Sequence, residues 1–158
     1  MRSVLTGLVT LLGTTLLVAA PAAAETLRTN VAFNTGIGQK TANQPANGVE
    51  VAYQVKLQGG ALDGCTVDIV EALHPRDEGA WGIFDIAGDV TCADGKFAYI
   101  SSGSWDGKGF HAAGTVNGGD GRFAGAKGRV AQLGGGGAAA GDGTTNISYE
   151  LVVDMAEG

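Results

Sequence analysis

Basic side chains are scarce in this sequence, and the scarcity limits what the protein can bind. The chain carries 10 lysine and arginine residues against 16 aspartate and glutamate residues, for a formal net charge of −6. A chain with this balance lacks the basic surface that neutralises nucleic-acid phosphates, and an anionic membrane surface repels it. We therefore expect no nucleic-acid partner.

Long apolar runs are absent beyond the N-terminus. After Arg2, residues 4–20 are largely apolar, Pro21 ends the run, and Ala22–Ala24 offer small residues for a peptidase. This order is typical of a secretory signal peptide, and the run is shorter than the roughly 20 residues that a bilayer requires. A retained membrane anchor is the alternative. We expect residues 1–24 to be a signal peptide and residues 25–158 to be a single exported domain, periplasmic or extracellular, without membrane insertion.

Metal ligands and redox motifs are also few. His74 and His111 are the two histidines, Cys65 and Cys92 are the two cysteines, and no CxxC motif occurs. Metal sites need several ligands in one cluster, so the sequence predicts no metal and no cofactor. In an exported chain, the two cysteines predict a disulfide. It would close a loop of about 28 residues and contribute about 3–4 kcal/mol.

Helix signals are nearly absent, whereas turn signals recur. The 28 glycines are unfavourable in helices, at about 1 kcal/mol per position. Repeated Asp-Gly and Asn-Gly dipeptides suit tight turns between antiparallel strands, and the segments between them alternate apolar and polar residues. We predict eight strands, at residues 26–33, 48–58, 65–72, 81–91, 96–105, 109–117, 122–132 and 144–154.

Short connections between these strands favour an antiparallel meander over a parallel sheet. Eight such strands close into a barrel, which removes both sheet edges, so we predict an all-β, eight-stranded antiparallel β-barrel. A β-sandwich is the alternative. Residues 34–47 and the low-complexity residues 134–143 are predicted loops. They are either plain connectors or, in one case, a cover for a barrel mouth.

One glycine-rich segment carries a family resemblance. Residues 118–128 read GGDGRFAGAKG, which predicts a tight turn followed by a strongly coiled strand with Phe123 in the core. The segment resembles the GGTG-x-F/Y-x-GA-x-G stretch of the allene oxide cyclase-like and dirigent-like barrels, although Asp120 stands where those families usually carry threonine. The matching residues are Gly118, Gly119, Gly121, Phe123, Gly125, Ala126 and Gly128.

The resemblance implies an eight-stranded barrel with a largely apolar lumen. Allene oxide cyclases close an unsaturated fatty-acid epoxide into a ring, and dirigent proteins orient phenoxy radicals for coupling. Neither needs a cofactor, and both tend to form trimers, so the resemblance implies a homo-oligomer, a trimer or dimer. The pocket residues of those families lie outside the matched segment, and no catalytic role is carried over to this chain.

Three residues are candidates for acid–base chemistry. His74 lies in the polar segment 74–78, which is either a loop at a barrel mouth or a solvated turn. His111 points into the lumen if Phe110 faces outward, and into solvent if Phe110 is in the core. Asp85 lies in a strand that is apolar on both faces, and is either a pocket carboxylate or an exposed residue at an oligomer rim. Five aromatic residues are candidate ligand contacts in the lumen, or else plain core: Trp81, Tyr53, Tyr99, Trp105 and Tyr149.

Three functions are compatible with this sequence. The first is a barrel that binds a hydrophobic or aromatic small molecule in its lumen. The second is a cofactor-free cyclase, isomerase or coupling guide that holds a reactive substrate in one conformation. The third is a structural or interaction protein of the cell envelope. The lumen distinguishes them: a cavity with buried ionisable groups favours catalysis, a neutral cavity favours binding, and a filled lumen favours the third function.

Overall fold

The structure of the protein is a computed structural model that describes residues 25–29, 31–34, 39–43, 45–139 and 145–156. The signal peptide that we predict at residues 1–24 lies outside the described residues. So does part of each of the two predicted loops, 34–47 and 134–143.

Most described residues belong to β-strands, as the recurring turn signals predict. Two single 3-10 turns, Gly60–Leu62 and Asp77–Gly79, are the helical elements of the described part of the chain. The strands are β1 (Glu25–Thr29), β2 (Val31–Asn34), β3 (Gln39–Lys40), β4 (Val49–Gln58), β5 (Thr66–Arg76), β6 (Trp81–Cys92), β7 (Gly95–Asp106), β8 (Gly109–Gly121), β9 (Lys127–Ala139) and β10 (Thr145–Ala156).

All ten strands form one antiparallel sheet. Its order is β1-β10-β9-β8-β7-β6-β5-β4-β2, with β3 paired to β4. The strands at the two ends of this path, β1 and β2, follow each other in the chain: β1 pairs with β10, and β2 pairs with β4. Counted as one N-terminal strand, they bring the number of long strands to eight. The predicted all-β antiparallel fold is confirmed.

The sheet curls so that its two ends meet at the N-terminal segment, and β2 also contacts β10. Among the described residues no ladder joins β1 to β2, so the hydrogen-bonded sheet is open at this seam and the chain itself bridges it. The curl places one face of every long strand inside, as in a barrel.

Several strands are longer than their sequence patterns predict. Residues 134–139, predicted as loop, continue β9 and pair with β10, and Gly134 also pairs with Phe110 of β8. A ladder uses backbone groups, so glycines and alanines without much side chain to pack still join it. The two-residue strand β3 lies within predicted loop 34–47, and residues 74–76 belong to β5 rather than to a loop. Pro75 is tolerated there because the β4 ladder ends at Leu73, which leaves β5 with one neighbour.

The core lies inside the curled sheet and follows a strict alternation. In β6, the even-numbered residues from Gly82 to Val90 are buried and the odd-numbered residues are exposed. Neighbouring strands continue this inner face in register, because a residue and its cross-strand partner point to the same side of the sheet. The buried apolar side chains of the strands are Leu27, Val55, Leu57, Val67, Ile69, Phe84, Ile86, Val90, Phe97, Tyr99, Ala112, Val116, Val130 and Val153.

One end of the barrel is closed by packed side chains and a covalent bond. Cys65 and Cys92 form a disulfide with Cα atoms 4.4 Å apart. Leu62, in the first 3-10 turn, is fully buried. Phe97 and Phe123 meet edge to face with ring centroids 4.9 Å apart. We call this the disulfide end.

Candidate functional site

The inner face changes character toward the opposite end of the barrel. At the disulfide end its side chains are almost fully buried. Toward the opposite end Phe84 is still buried, but the inward side chains around it are half-buried. Four of these half-buried residues are apolar and pack against the edge of the buried core. We call the following set of inward residues the mouth: Tyr53, Glu71, Leu73, Trp105 and Phe110.

The mouth holds one ionisable carboxyl group. Glu71 lies on β5 opposite Val51 of β4 and Ile86 of β6. The Tyr53 hydroxyl donates a hydrogen bond to its carboxyl at 2.8 Å. Burial raises the pKa of Glu71 above the ordinary value, and the hydrogen bond from Tyr53 offsets part of that rise. A carboxyl in this setting can act as a hydrogen-bond donor, as a proton-transfer group or as a counter-ion.

An aromatic cluster forms one wall of the mouth. Phe84 stacks on Trp105 at 6.2 Å between ring centroids and meets Phe110 edge to face at 6.0 Å. The Trp105 ring covers Gly82, its cross-strand partner, where an added Cβ would lie 2.1 Å from a ring carbon. The wall therefore depends on glycine at that position to hold the indole flat against the sheet.

The rim beside this wall contains a cavity of about 260 Å³ at the β7–β8 turn, bounded in part by Trp105, Phe110 and His111. Asp106 shapes the turn by accepting backbone hydrogen bonds from Lys108 at 2.8 Å and Gly109 at 3.2 Å. The bond from the Lys108 backbone is the main reason that the pKa of Asp106 lies below its ordinary value.

Below the mouth, the lumen is filled by a buried polar network. The Ser101 hydroxyl donates to the Gln132 side-chain oxygen at 2.7 Å, and the Gln132 amide donates to the Tyr99 hydroxyl at 3.3 Å. The bonds span from β7 to β9 across β8, where the residue paired with Ser101 is Gly114. The Tyr99 ring lies over Gly88. The network forms a floor between the mouth and the disulfide end.

A second depression lies on the outer face of the sheet, across β4 to β8. It has a volume of about 450 Å³, and its lining includes Val70, Asp85, Ile100 and Ser102. Asp85 accepts a hydrogen bond from Ser102, its cross-strand partner. Asp85 therefore faces outward from the barrel, into this depression, and not into the lumen.

The structure separates the two histidines from the mouth. His74 lies on the outward face of β5, with its imidazole against Gly48, where an added Cβ would lie 2.8 Å from Nδ1. Phe110 packs against the core, so His111 faces outward, and its Nε2 lies 3.5 Å from the Ser104 hydroxyl. None of Asp85, His74 and His111 lies beside Glu71 on the inner face.

The predicted aromatic residues divide between the two faces. Tyr53 and Trp105 belong to the mouth, and Tyr99 belongs to the buried floor. Trp81 instead lies on the outer face with 43% of its surface exposed, where its indole N–H donates to Asp77. Tyr149 occupies a described position in β10, opposite Gly134, but its side chain lies outside the described part.

Sequence reasoning missed Glu71, Ser101 and Gln132. Glu71 shares its parity with Val67, Ile69 and Leu73, which was a usable signal. The opposite parity of the same strand carries Val70 and Ala72, so the pattern did not separate the two faces. Only the neighbouring strands, in register, decide which face is inside.

The glycine-rich segment 118–128 forms the hairpin between β8 and β9 at the disulfide end. Phe123 is buried as predicted, but it lies in the turn, because β8 continues to Gly121 and β9 begins at Lys127. Gly121 and Gly125 adopt φ values of 58° and 75°, a region that favours glycine. The segment is far from the mouth and has a structural role.

No group of three or more histidine, cysteine, aspartate or glutamate side chains in the described ranges is placed to hold a metal ion. The described residues also contain no helix that is both long and apolar enough to cross a membrane. No protein-family model matches the chain, and no curated protein matches it. A proposal about function therefore depends on the residues of this chain.

Proposed function

We propose that the protein is an exported β-barrel that binds a hydrophobic or aromatic small molecule at the mouth. The observation that carries this proposal is the change in burial along one inner face. The inward side chains are almost fully covered at the disulfide end, whereas Tyr53, Leu73, Trp105 and Phe110 remain half-buried at the other.

Ligand sites are concave and largely apolar, with a few polar groups that fix orientation. The mouth has this composition: an aromatic wall, one aliphatic residue and one carboxyl–phenol pair. The floor formed by Tyr99, Ser101 and Gln132 limits the depth that a ligand reaches. We therefore place the ligand at the open end rather than along the whole lumen.

Export is part of the proposal and rests on the residue pattern of the first 24 residues. The Cys65–Cys92 disulfide supports it, because disulfides persist in oxidising compartments. The resemblance of residues 118–128 to the allene oxide cyclase-like and dirigent-like barrels supports an apolar ligand. The intact mass of the protein recovered from the periplasm of an expression host tests cleavage after Ala24.

A matched pair of variants tests binding at the mouth. Native mass spectrometry is run on the protein with a panel of terpenoid, phenolic and unsaturated fatty-acid ligands. Leu73→Gln places an amide in the mouth, and Val70→Gln places the same amide on the outer face of the same strand. We expect a stoichiometric ligand in the parent and in Val70→Gln, and loss of at least about tenfold in affinity in Leu73→Gln. Equal binding by both variants, or no ligand from the whole panel, contradicts the proposal.

A second candidate function is self-association through the outer face of β5 to β9. Large apolar side chains are exposed there by 42–54% of their surface: Val70, Trp81, Ile83, Ile100 and Leu133. Val70 and Ile100 flank Ala87 in one cross-strand row of this face, and exposed apolar patches mark interaction surfaces. Light scattering on the purified protein tests it: a dimer or trimer that Ile100→Lys converts to a monomer supports self-association, and a monomeric parent at about 100 μM, a concentration that saturates micromolar interfaces, contradicts it.

A further inference from the structure

Glu71 is unusual among the acidic residues of the described chain, because it points into the barrel. Its cross-strand partners on the inner face are Val51 and Ile86, and its own strand continues with Ile69 and Leu73. Within the described residues the Tyr53 hydroxyl is its hydrogen-bond partner and no lysine or arginine forms an ion pair with it. An ionised carboxylate in this setting has lost water without gaining a counter-ion.

The aromatic wall lies within ligand reach of this carboxyl. Leu73, two residues after Glu71, pairs with Phe84, so Glu71 and Phe84 are diagonal neighbours on the inner face, about 7–8 Å apart between Cα atoms. Trp105 and Phe110 extend the wall from Phe84. A small molecule seated in the mouth therefore meets the carboxyl at one side and ring faces at the other.

This combination favours one charge on the ligand. Aromatic ring faces are electronegative and attract cations, and a carboxylate without a counter-ion attracts the same charge. An anionic ligand would meet like charge beside Glu71, and a neutral ligand would gain contact with the wall alone. The exposed charged groups at the rim are of both signs: Asp77, Glu78 and Asp106 against Lys40, Arg76 and Lys108. Lys40 shares a cross-strand row with Glu71 through Val51. Glu50 is half-buried and accepts hydrogen bonds from Thr41 and Asn43.

We propose that the mouth binds a hydrophobic cation, an aromatic or aliphatic quaternary ammonium or amine, with Glu71 as its counter-ion and with Trp105 and Phe110, which pack on the buried Phe84, as its aromatic contacts. This inference rests on the proposed function and adds the chemical class of the ligand. The site recognises the cation by charge and ring faces together, whereas a neutral apolar molecule uses only the wall.

Proton linkage follows from this arrangement. Burial raises the pKa of Glu71 in the free protein, and a bound cation stabilises the ionised form, so it lowers that pKa. Below the free-state pKa the carboxyl is protonated and the cation binds weakly with release of a proton. Above it the carboxylate is already formed and the affinity reaches its plateau. The affinity for a permanent cation therefore rises with pH through the titration of Glu71.

An isosteric pair of probes separates charge from shape. Benzyltrimethylammonium carries the cation, and neopentylbenzene replaces its nitrogen by carbon. Binding is followed by tryptophan fluorescence in a Trp81→Phe background, where Trp105 is the remaining indole because the chain has 2 tryptophans. Phenylpropionate serves as the anionic probe. We expect the cation to bind at least about tenfold more tightly than its neutral isostere at about pH 8, and the preference to shrink at about pH 5.

Glu71→Gln removes the charge and keeps an oxygen that accepts the Tyr53 hydrogen bond. We expect this variant to bind the two isosteres with equal affinity at both pH values. Glu78→Gln, which removes one exposed charge from the rim, keeps the preference. If the neutral isostere binds the parent but the cation gains no preference, or if the preference survives Glu71→Gln, the inference is overturned. The proposal that the mouth binds an apolar ligand is then kept. If Trp105 responds to none of the probes, the proposed function fails together with the inference.

Discussion

The buried link between Ser101 and Gln132 allows a sharp test of how the lumen is built. Ser101 donates to the Gln132 side chain at 2.7 Å, with 4% and 1% of their surfaces exposed. Gln132→Met keeps nearly the same volume but removes the amide, which leaves the Ser101 hydroxyl buried without this acceptor. Ser101→Ala makes the reciprocal change and leaves the amide oxygen without its donor.

The expected cost is set by the group left behind rather than by the bond itself. A buried polar group without a partner costs about 1–3 kcal/mol, so each single variant should lower the free energy of unfolding by about that amount. The double variant removes both partners of this hydrogen bond, so neither the Ser101 hydroxyl nor the Gln132 amide oxygen is left buried without the other. It should cost less than the sum of the singles, with a coupling energy of about 1–2 kcal/mol.

Urea unfolding of the oxidised protein measures the four free energies of this cycle. Ser102→Ala, on the exposed face of the same strand, is the control and should change stability by no more than about 0.5 kcal/mol. Equal slopes of the unfolding transition in all variants would show that the comparison is valid. Additive costs for the two single variants would refute the buried bond and, with it, the filled floor below the mouth.

Three further changes have defined outcomes. Burial raises the pKa of Glu71, so its contribution to stability is full below the pKa of the unfolded chain and is lost as pH rises through the pKa of the folded protein. Glu71→Gln should therefore flatten this part of a pH series of urea unfolding. An unchanged pH series would contradict the buried carboxyl. Replacing Cys65 and Cys92 by serine opens a loop with a sequence separation of 27. The free energy of unfolding in urea should fall by about 3–4 kcal/mol, because the unfolded chain gains conformational entropy. A loss below about 1 kcal/mol would contradict this entropic explanation. Gly114→Ala would place its Cβ 1.8 Å from a backbone oxygen of β7 and should lower stability by about 3 kcal/mol or more. The matched change Gly107→Ala, with open space around it, should stay within about 0.5 kcal/mol in the same thermal-melt series, and similar losses for both would contradict the close approach of β7 and β8.

The strand content could be predicted because turns and alternation are local. Asp94-Gly95 and Asp106-Gly107 separate β6, β7 and β8 within a residue or two of the predicted bounds. The length of β9 could not be predicted, because its glycine-rich second half joins the sheet mainly through the ladder that β10 provides. Tertiary pairing there overrides a composition that is typical of a loop.

The candidate site was less predictable, for a reason visible in β5. Both parities of this strand carry apolar residues: Ile69 and Leu73 point inward, and Val70 and Ala72 point outward. A period of two then leaves the inner face undecided, and Glu71 has the same local pattern as an exposed residue. Asp85 illustrates the converse case, since the apolar residues of its own parity, Ile83 and Ala87, lie with it on the outer face.

Nuclear magnetic resonance mapping of a neutral ligand tests the mouth most directly. Methyl and aromatic signals of the parent protein are followed while neopentylbenzene is added until the signals stop moving. We expect the largest shifts at Leu73, Trp105 and Phe110, with the signals of Val70 and Ile100 unchanged. Shifts confined to Val70 and Ile100 would place the ligand on the outer face instead, and would contradict a binding site at the mouth.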